Sequence, residues 1–155
     1  MPVLEWLAGL PHAVALRESG TAYLLVNAAH ILSVGLIVGA ILPLDIRLLS
    51  GLRNVPLAAA GPLLSRTAAI GVVLAVGTGF FLFSVKPVEY AHNPAFLAKL
   101  CLLAVGILNA AWLHAGSGWS RALAGEPGPA VRLHALVSAC AWPAALVAGR
   151  WIGFI

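Results

Sequence analysis

Four stretches of roughly 20 residues, almost empty of charge, dominate this chain: 21–44, 65–85, 94–115 and 131–151. A bilayer's hydrocarbon core is about 30 Å thick, which an α-helix crosses in about 20 residues. Within lipid every backbone N–H and C=O must bond inside the segment, and helices do this. The pattern therefore predicts an all-α integral membrane protein, a four-helix up-down bundle with short connections. The composition agrees: 61% of residues are hydrophobic and 9% are charged, against about 25% charged in soluble domains. The 155 residues suffice for a single membrane domain and no soluble one.

The segment 3–17 is apolar but too short to span. With Glu5, His12 and Arg17 among its apolar positions, it reads as an amphipathic helix lying in the interface. Glu5 stands where a cleavable signal would carry positive charge, and Pro11 interrupts the apolar run, so a signal peptide is not expected. Pro43 should end or kink the first span, with Asp45 and Arg47 marking the interface beyond it. A breaker cluster follows, with Gly51, Asn54, Pro56, Gly61 and Pro62. Lys86 and Pro87 stop the second span, and 88–93 reads as a connection. Asn93 and Pro94 form a cap and first turn for the third. Lys99, just inside it, is placed to snorkel. Residues 116–129 read as a loop with a short surface helix near 119–124. Pro143 is expected to kink the fourth span.

The net charge of +4 comes from basic residues scattered between apolar runs, which suits anionic headgroups and not nucleic acid. Arg17, Lys86, Lys99 and Arg150 fall at the face holding both termini, here face A. Arg47, Arg53, Arg66, Arg121 and Arg132 fall at the opposite face B. The positive-inside rule then favours a bacterial-type inner membrane with both termini on the non-cytoplasmic side. Cys101 and Cys140 should be small buried apolar groups at unequal depths, about 10 and 16 Å from one face by helix rise, without a disulfide. Gly35 and Gly39 suit close helix packing, as do Gly71, Gly77 and Gly79. Asn109 can bond across the bundle, and Trp142 is deep enough to pack or to line a pocket.

Ionisable residues within a membrane mark candidate sites. His30 lies about 14 Å below face A by helix rise, sharing a helix face with Tyr23 and Asn27. It is either a ligand or a hydrogen-bonded packing residue. His114 ends the third span and His134 begins the fourth, both near face B. Opposed, they could clamp a haem iron as axial ligands; the alternative is that both are wet. Arg150 could meet a lipid headgroup or a haem propionate. His12, His30 and His92, with Glu89, could converge at face A on a copper or other metal ion, although Met1 is the sole methionine and copper(I) prefers soft ligands.

The stretches Ala29–His30–Ile31 through Leu44–Asp45–Ile46–Arg47–Leu48–Leu49, Asn93–Pro94–Ala95–Phe96 with Lys99, and Gly149–Arg150–Trp151–Ile152 resemble an uncharacterised family of small bacterial four-helix membrane proteins. That family is loosely similar to copper-resistance D-type and di-haem b-type cytochrome membrane domains. The resemblance implies histidines as haem or copper ligands; only His30, His114 and His134 lie in or at spans, which departs from a four-histidine di-haem set. The expected function is a small b-type haem electron-transfer protein or accessory subunit, using His30, His114 and His134, with a quinone or redox protein as partner. The alternatives are a cofactor-free assembly or anchoring subunit, with homo-oligomerisation open, and a copper-handling protein. Nothing in the sequence marks a stand-alone enzyme.

Overall fold

The computed structural model describes residues 2–50 and 56–154, and every element among them is helical. Gly51 and Asn54 of the expected breaker cluster, and Arg53 of face B, lie outside the described residues. In chain order the elements are α1 (Pro2–Ala8), α2 (Pro11–Glu18), α3 (Gly20–Ser50), α4 (Leu57–Val85), α5 (Pro87–His92), α6 (Pro94–Ala115), α7 (Ser117–Leu123) and α8 (Pro129–Trp151), with a 3₁₀ turn at Ile152–Phe154. Four of them, α3, α4, α6 and α8, are long and apolar enough to cross a membrane.

Several boundaries differ from the sequence expectation. The segment 3–17 is two helices, because the chain turns at Gly9–Leu10 and Pro11 opens the second one. Pro43 does not end α3, which runs seven residues past it to Ser50. A proline removes one backbone donor, and packed neighbours can make up that loss. For the same reason α4 begins at Leu57 and passes through Pro62. The connection at 88–93 is itself the short helix α5. The start of α6 follows expectation: Asn93 Oδ1 accepts from the backbone N–H groups of Ala95 (3.0 Å) and Phe96 (3.1 Å), with Pro94 at the first position.

α3 and α8 pack together in the middle, α4 lies on α3, and α6 lies on α8. The buried contacts use small residues. Gly71 of α4 lets that helix approach α3 so closely that a Cβ there would stand 3.0 Å from Ser33 O and 3.1 Å from Ile37 N. Gly106 of α6 makes room for the indole of Trp142, which is 4% exposed. Gly35, Gly39 and Gly77, expected at helix contacts, have nothing within 4 Å of a Cβ. Cys101 and Cys140 are unbridged, as expected, but exposed, not buried.

The outer surface carries Leu24, Leu32, Val73, Leu108 and Leu146, all exposed. A surface this apolar is too costly to leave against water and is what a bilayer covers. The four helices together indicate a multi-pass membrane protein.

α1 and α2 fold over one end of the bundle. Arg17 of α2 holds them there: its guanidinium donates to Ala8 O at 2.7 Å and to Val85 O at 3.2 Å. These are carbonyls at the last turns of α1 and α4, where a cation is favoured by unsatisfied C=O groups and the helix dipole. Ala13 and Leu16 are buried beneath α2.

Candidate functional site

The same end of the bundle gathers polar groups from α3, α4 and α6, with a glycine of α8 beside them. On α3, Tyr23, Asn27 and His30 follow one another at helical spacing. The His30 ring meets α4, with Nδ1 2.9 Å from Thr78 Oγ1. The Thr78 hydroxyl donates to Leu74 O of its own helix at 2.6 Å, so Thr78 Oγ1 accepts from His30 Nδ1–H. That leaves His30 Nε2 as the acceptor, and Lys99 Nζ of α6 stands 3.5 Å from it. The result is a directional chain from Lys99 to His30 to Thr78 to Leu74 O. Two glycines make the space. A Cβ on Gly79 of α4 would stand 3.2 Å from His30 Cε1, and one on Gly149 of α8 would stand 3.3 Å from Lys99 Cδ.

Lys99 therefore does not snorkel outward. Its stem lies across Gly149 and its ammonium turns to the imidazole. Among the described residues no carboxylate pairs with it; the ion pair at this end joins Lys86 and Glu89, 2.9 Å apart. A lysine turned into a bundle without an anion is costly, because its charge keeps little hydration.

Aromatic rings frame this end. Phe83 of α4 stacks on Phe96 of α6, centroids 5.3 Å apart and 5° from parallel, and Tyr90 of α5 lies 5.6 Å from Phe96. Burial pushes the Tyr90 hydroxyl above the usual phenol range, helped by Tyr23 and Glu89 beside it. An open recess of about 550 Å³ lies between Tyr23, Tyr90, His92, Asn93, Ile152 and Gly153, with Lys86 and Glu89 on its wall.

The other candidate residues are placed apart. His12 faces α4, its ring edge-on to Phe81 at 5.2 Å, with Nε2 buried and unpartnered. His92 Nδ1 donates to Val88 O within α5 at 2.8 Å. His12, His30 and His92 thus do not converge, and no three His, Cys, Asp or Glu side chains among the described residues form a metal-holding group. His114 is exposed, donates from Nδ1 to Ala110 O at 2.8 Å, and lies 4.6 Å from the Trp119 ring. His134 donates from Nδ1 to Asn109 Oδ1 at 2.7 Å, while Asn109 Nδ2 donates to His134 O at 2.9 Å. His114 turned to its own helix and His134 locked to Asn109 do not face one another as two axial ligands would. Arg150 is exposed and covers the Phe154 ring at 4.6 Å. As placed, these residues do not fit a bis-histidine haem.

Nothing in the sequence singles out Thr78, Gly79 is expected only at a helix contact, and Lys99 is expected at the interface. Their one signal is register: Lys99 sits a turn and a half inside α6, close enough to the membrane face for either direction.

A family model described as a family of unknown function (DUF6644) matches residues 14–155. The chain belongs to that family. The match agrees with the expected uncharacterised family and carries no similarity to copper-resistance D-type or b-type cytochrome domains. No curated protein and no solved structure matches the chain.

Proposed function

We propose that this family member is a multi-pass membrane protein whose bundle binds the anionic oxygen headgroup of an amphiphile, a carboxylate or a phosphate, at Lys99 and His30. The observation that carries the reading is the Lys99 ammonium turned 3.5 Å from His30 Nε2 with no carboxylate paired to it among the described residues. An incoming anionic oxygen accepts from the N–H groups that Lys99 does not direct at His30. Thr78 bonds the imidazole and Gly79 makes room for it, and a recess beside Tyr23 and Tyr90 opens at the same end of the bundle. The role suits a binding or accessory subunit better than a stand-alone enzyme. In this reading the four long helices run up-down-up-down: Thr78 meets His30 while Gly71 meets Ile37, so α3 and α4 run in opposite directions. The protein then lies in a bacterial inner membrane, with Arg47, Arg66, Arg121 and Arg132 at the cytoplasmic face.

The test is native mass spectrometry of the detergent-purified protein with a fatty acid, a phosphatidic acid and a fatty alcohol of matched chain. Hydrogen bonds to charged groups contribute about 1.5–3 kcal/mol. Lys99→Met should therefore weaken the acid or the phosphatidic acid by roughly 10–100-fold and leave the alcohol unaffected. The arm that responds names the headgroup. Equal binding of acid and alcohol, or no effect of Lys99→Met, refutes the reading.

A second reading, a b-type haem protein with His30 as its ligand, draws on one observation. Thr78 takes the Nδ1 hydrogen, which leaves Nε2 as the free nitrogen, the arrangement second-shell partners give to metal-bound histidines. Lys99 would leave Nε2 and hold a propionate. Haem would supply one-electron chemistry, while these residues only bind and orient it. An absorption spectrum of haem-supplied protein, oxidised and dithionite-reduced, decides this: reduced alpha and beta bands lost in His30→Ala support it, and a flat visible spectrum ends it.

A further inference from the structure

Because α3 continues through Pro43, Asp45 is carried into the bundle and not left at its edge. Asp45 is 3% exposed, flanked by the buried Leu44 and Leu48. Ser138 of α8 is its hydrogen-bonding neighbour, and its Oδ2 has no partner. Among the described residues, the charged and titratable groups of α3, α4 and α8 toward this end of the bundle are directed elsewhere. His134, one turn before Ser138, is bound to Asn109. Arg66 of α4 and Arg132 of α8 are exposed. Arg47, two residues along α3, points to another helix face.

A carboxylate here would keep one charged oxygen buried and unpartnered, with no cation among the described residues paired to it. A carboxylic acid avoids that cost. Its O–H, on Oδ1, can donate to Ser138 Oγ, and Oδ2 becomes a carbonyl-like acceptor, far cheaper to leave unpaired than a charge. We propose that Asp45 is a proton-binding site of the bundle, a neutral acid at neutral pH held by Ser138 and remote from the Lys99–His30 site. Release is a simple exchange: the O–H bond breaks, the proton passes to water, and the charge stays on the carboxylate. Buried acids of this kind are the elements of which membrane proton paths are made.

Infrared spectroscopy of the whole protein in lipid vesicles at neutral pH tests this. The wild type should show the carbonyl stretch of a protonated carboxyl group, shifted in deuterated buffer and absent from Asp45→Asn. Ser138→Ala should keep the band and move it to higher frequency as its hydrogen bond is lost. If Asp45→Asn fails to fold, the Ser138→Ala shift identifies the acid by itself. A folded wild type without a protonated-carboxyl band at neutral pH overturns the proposal, as does a band that ignores both substitutions. So does a band that sodium or potassium removes at constant pH, since the site would then hold a metal cation.

Discussion

The α3–α4 contact can be tested with a matched pair of glycines. Gly71→Ala places a methyl 2.9 Å from Ile37 Cγ1, 3.0 Å from Ser33 O and 3.1 Å from Ile37 N. Two of those atoms are backbone, so rotating a side chain cannot relieve the clash; α4 must back away from α3. Relaxed contacts lie at about 3.5–4.0 Å, so the retreat is roughly half an ångström or more. Overpacking of this kind costs about 1–3 kcal/mol. Alanine also favours the helix over glycine by about 1 kcal/mol, which hides part of the loss. Gly35→Ala supplies the control: it lies in the middle of α3, gains the same propensity, and meets nothing within 4 Å. Subtracting one variant from the other cancels the propensity and leaves the steric cost alone. Reversible unfolding in mixed micelles, followed by tryptophan fluorescence, should place Gly71→Ala about 1–3 kcal/mol below Gly35→Ala. Equal stabilities, or a Gly35→Ala variant that falls further, would refute the close approach of the two helices and the register built on it.

Two further outcomes follow from single side chains. Asn109→Leu removes both bonds to His134; at roughly 0.6 kcal/mol per interhelical bond in a membrane bundle, rising to about 1.7, the loss should be about 1–3 kcal/mol. A double-mutant cycle with His134→Phe should recover part of it, and additive effects would contradict the pairing. Tyr90 should ionise at higher pH than an ordinary phenol, because burial and the nearby Tyr23 and Glu89 favour its neutral form. Ultraviolet titration of wild type against Tyr90→Phe reads this, and a Tyr90 component at or below the usual phenol range would contradict its burial.

Much of the candidate site was visible as residues and little of it as geometry. His30 stood out because nothing else ionisable shares the middle of its apolar run. Its partners did not, since Thr78 is one weakly polar residue among apolar ones and Lys99 near a helix end reads as an interfacial anchor. Asp45 was read as an interface marker because a proline two residues earlier suggested that the helix was over. The histidine pair at the far end was legible as two residues at similar depth, yet each ring found a nearer partner: Ala110 O for His114 and Asn109 for His134.

The sequence by itself determined that there are four long apolar helices and where most of them begin or end. That information is local: uncharged length answers the backbone's demand for internal hydrogen bonds, and Asn93, Pro94, Lys86 and Pro87 punctuate the runs. Only the tertiary structure decided how each helix is rotated about its axis. A helix that is apolar all round carries no contrast between a lipid face and a core face, so periodicity cannot orient it. Its rotation is set by where small residues permit close approach, at Gly71 against Ile37 and at Gly106 against Trp142. Those contacts turn Lys99 and Asp45 inward, leave Gly35 and Gly39 outside, and so determine which polar groups meet.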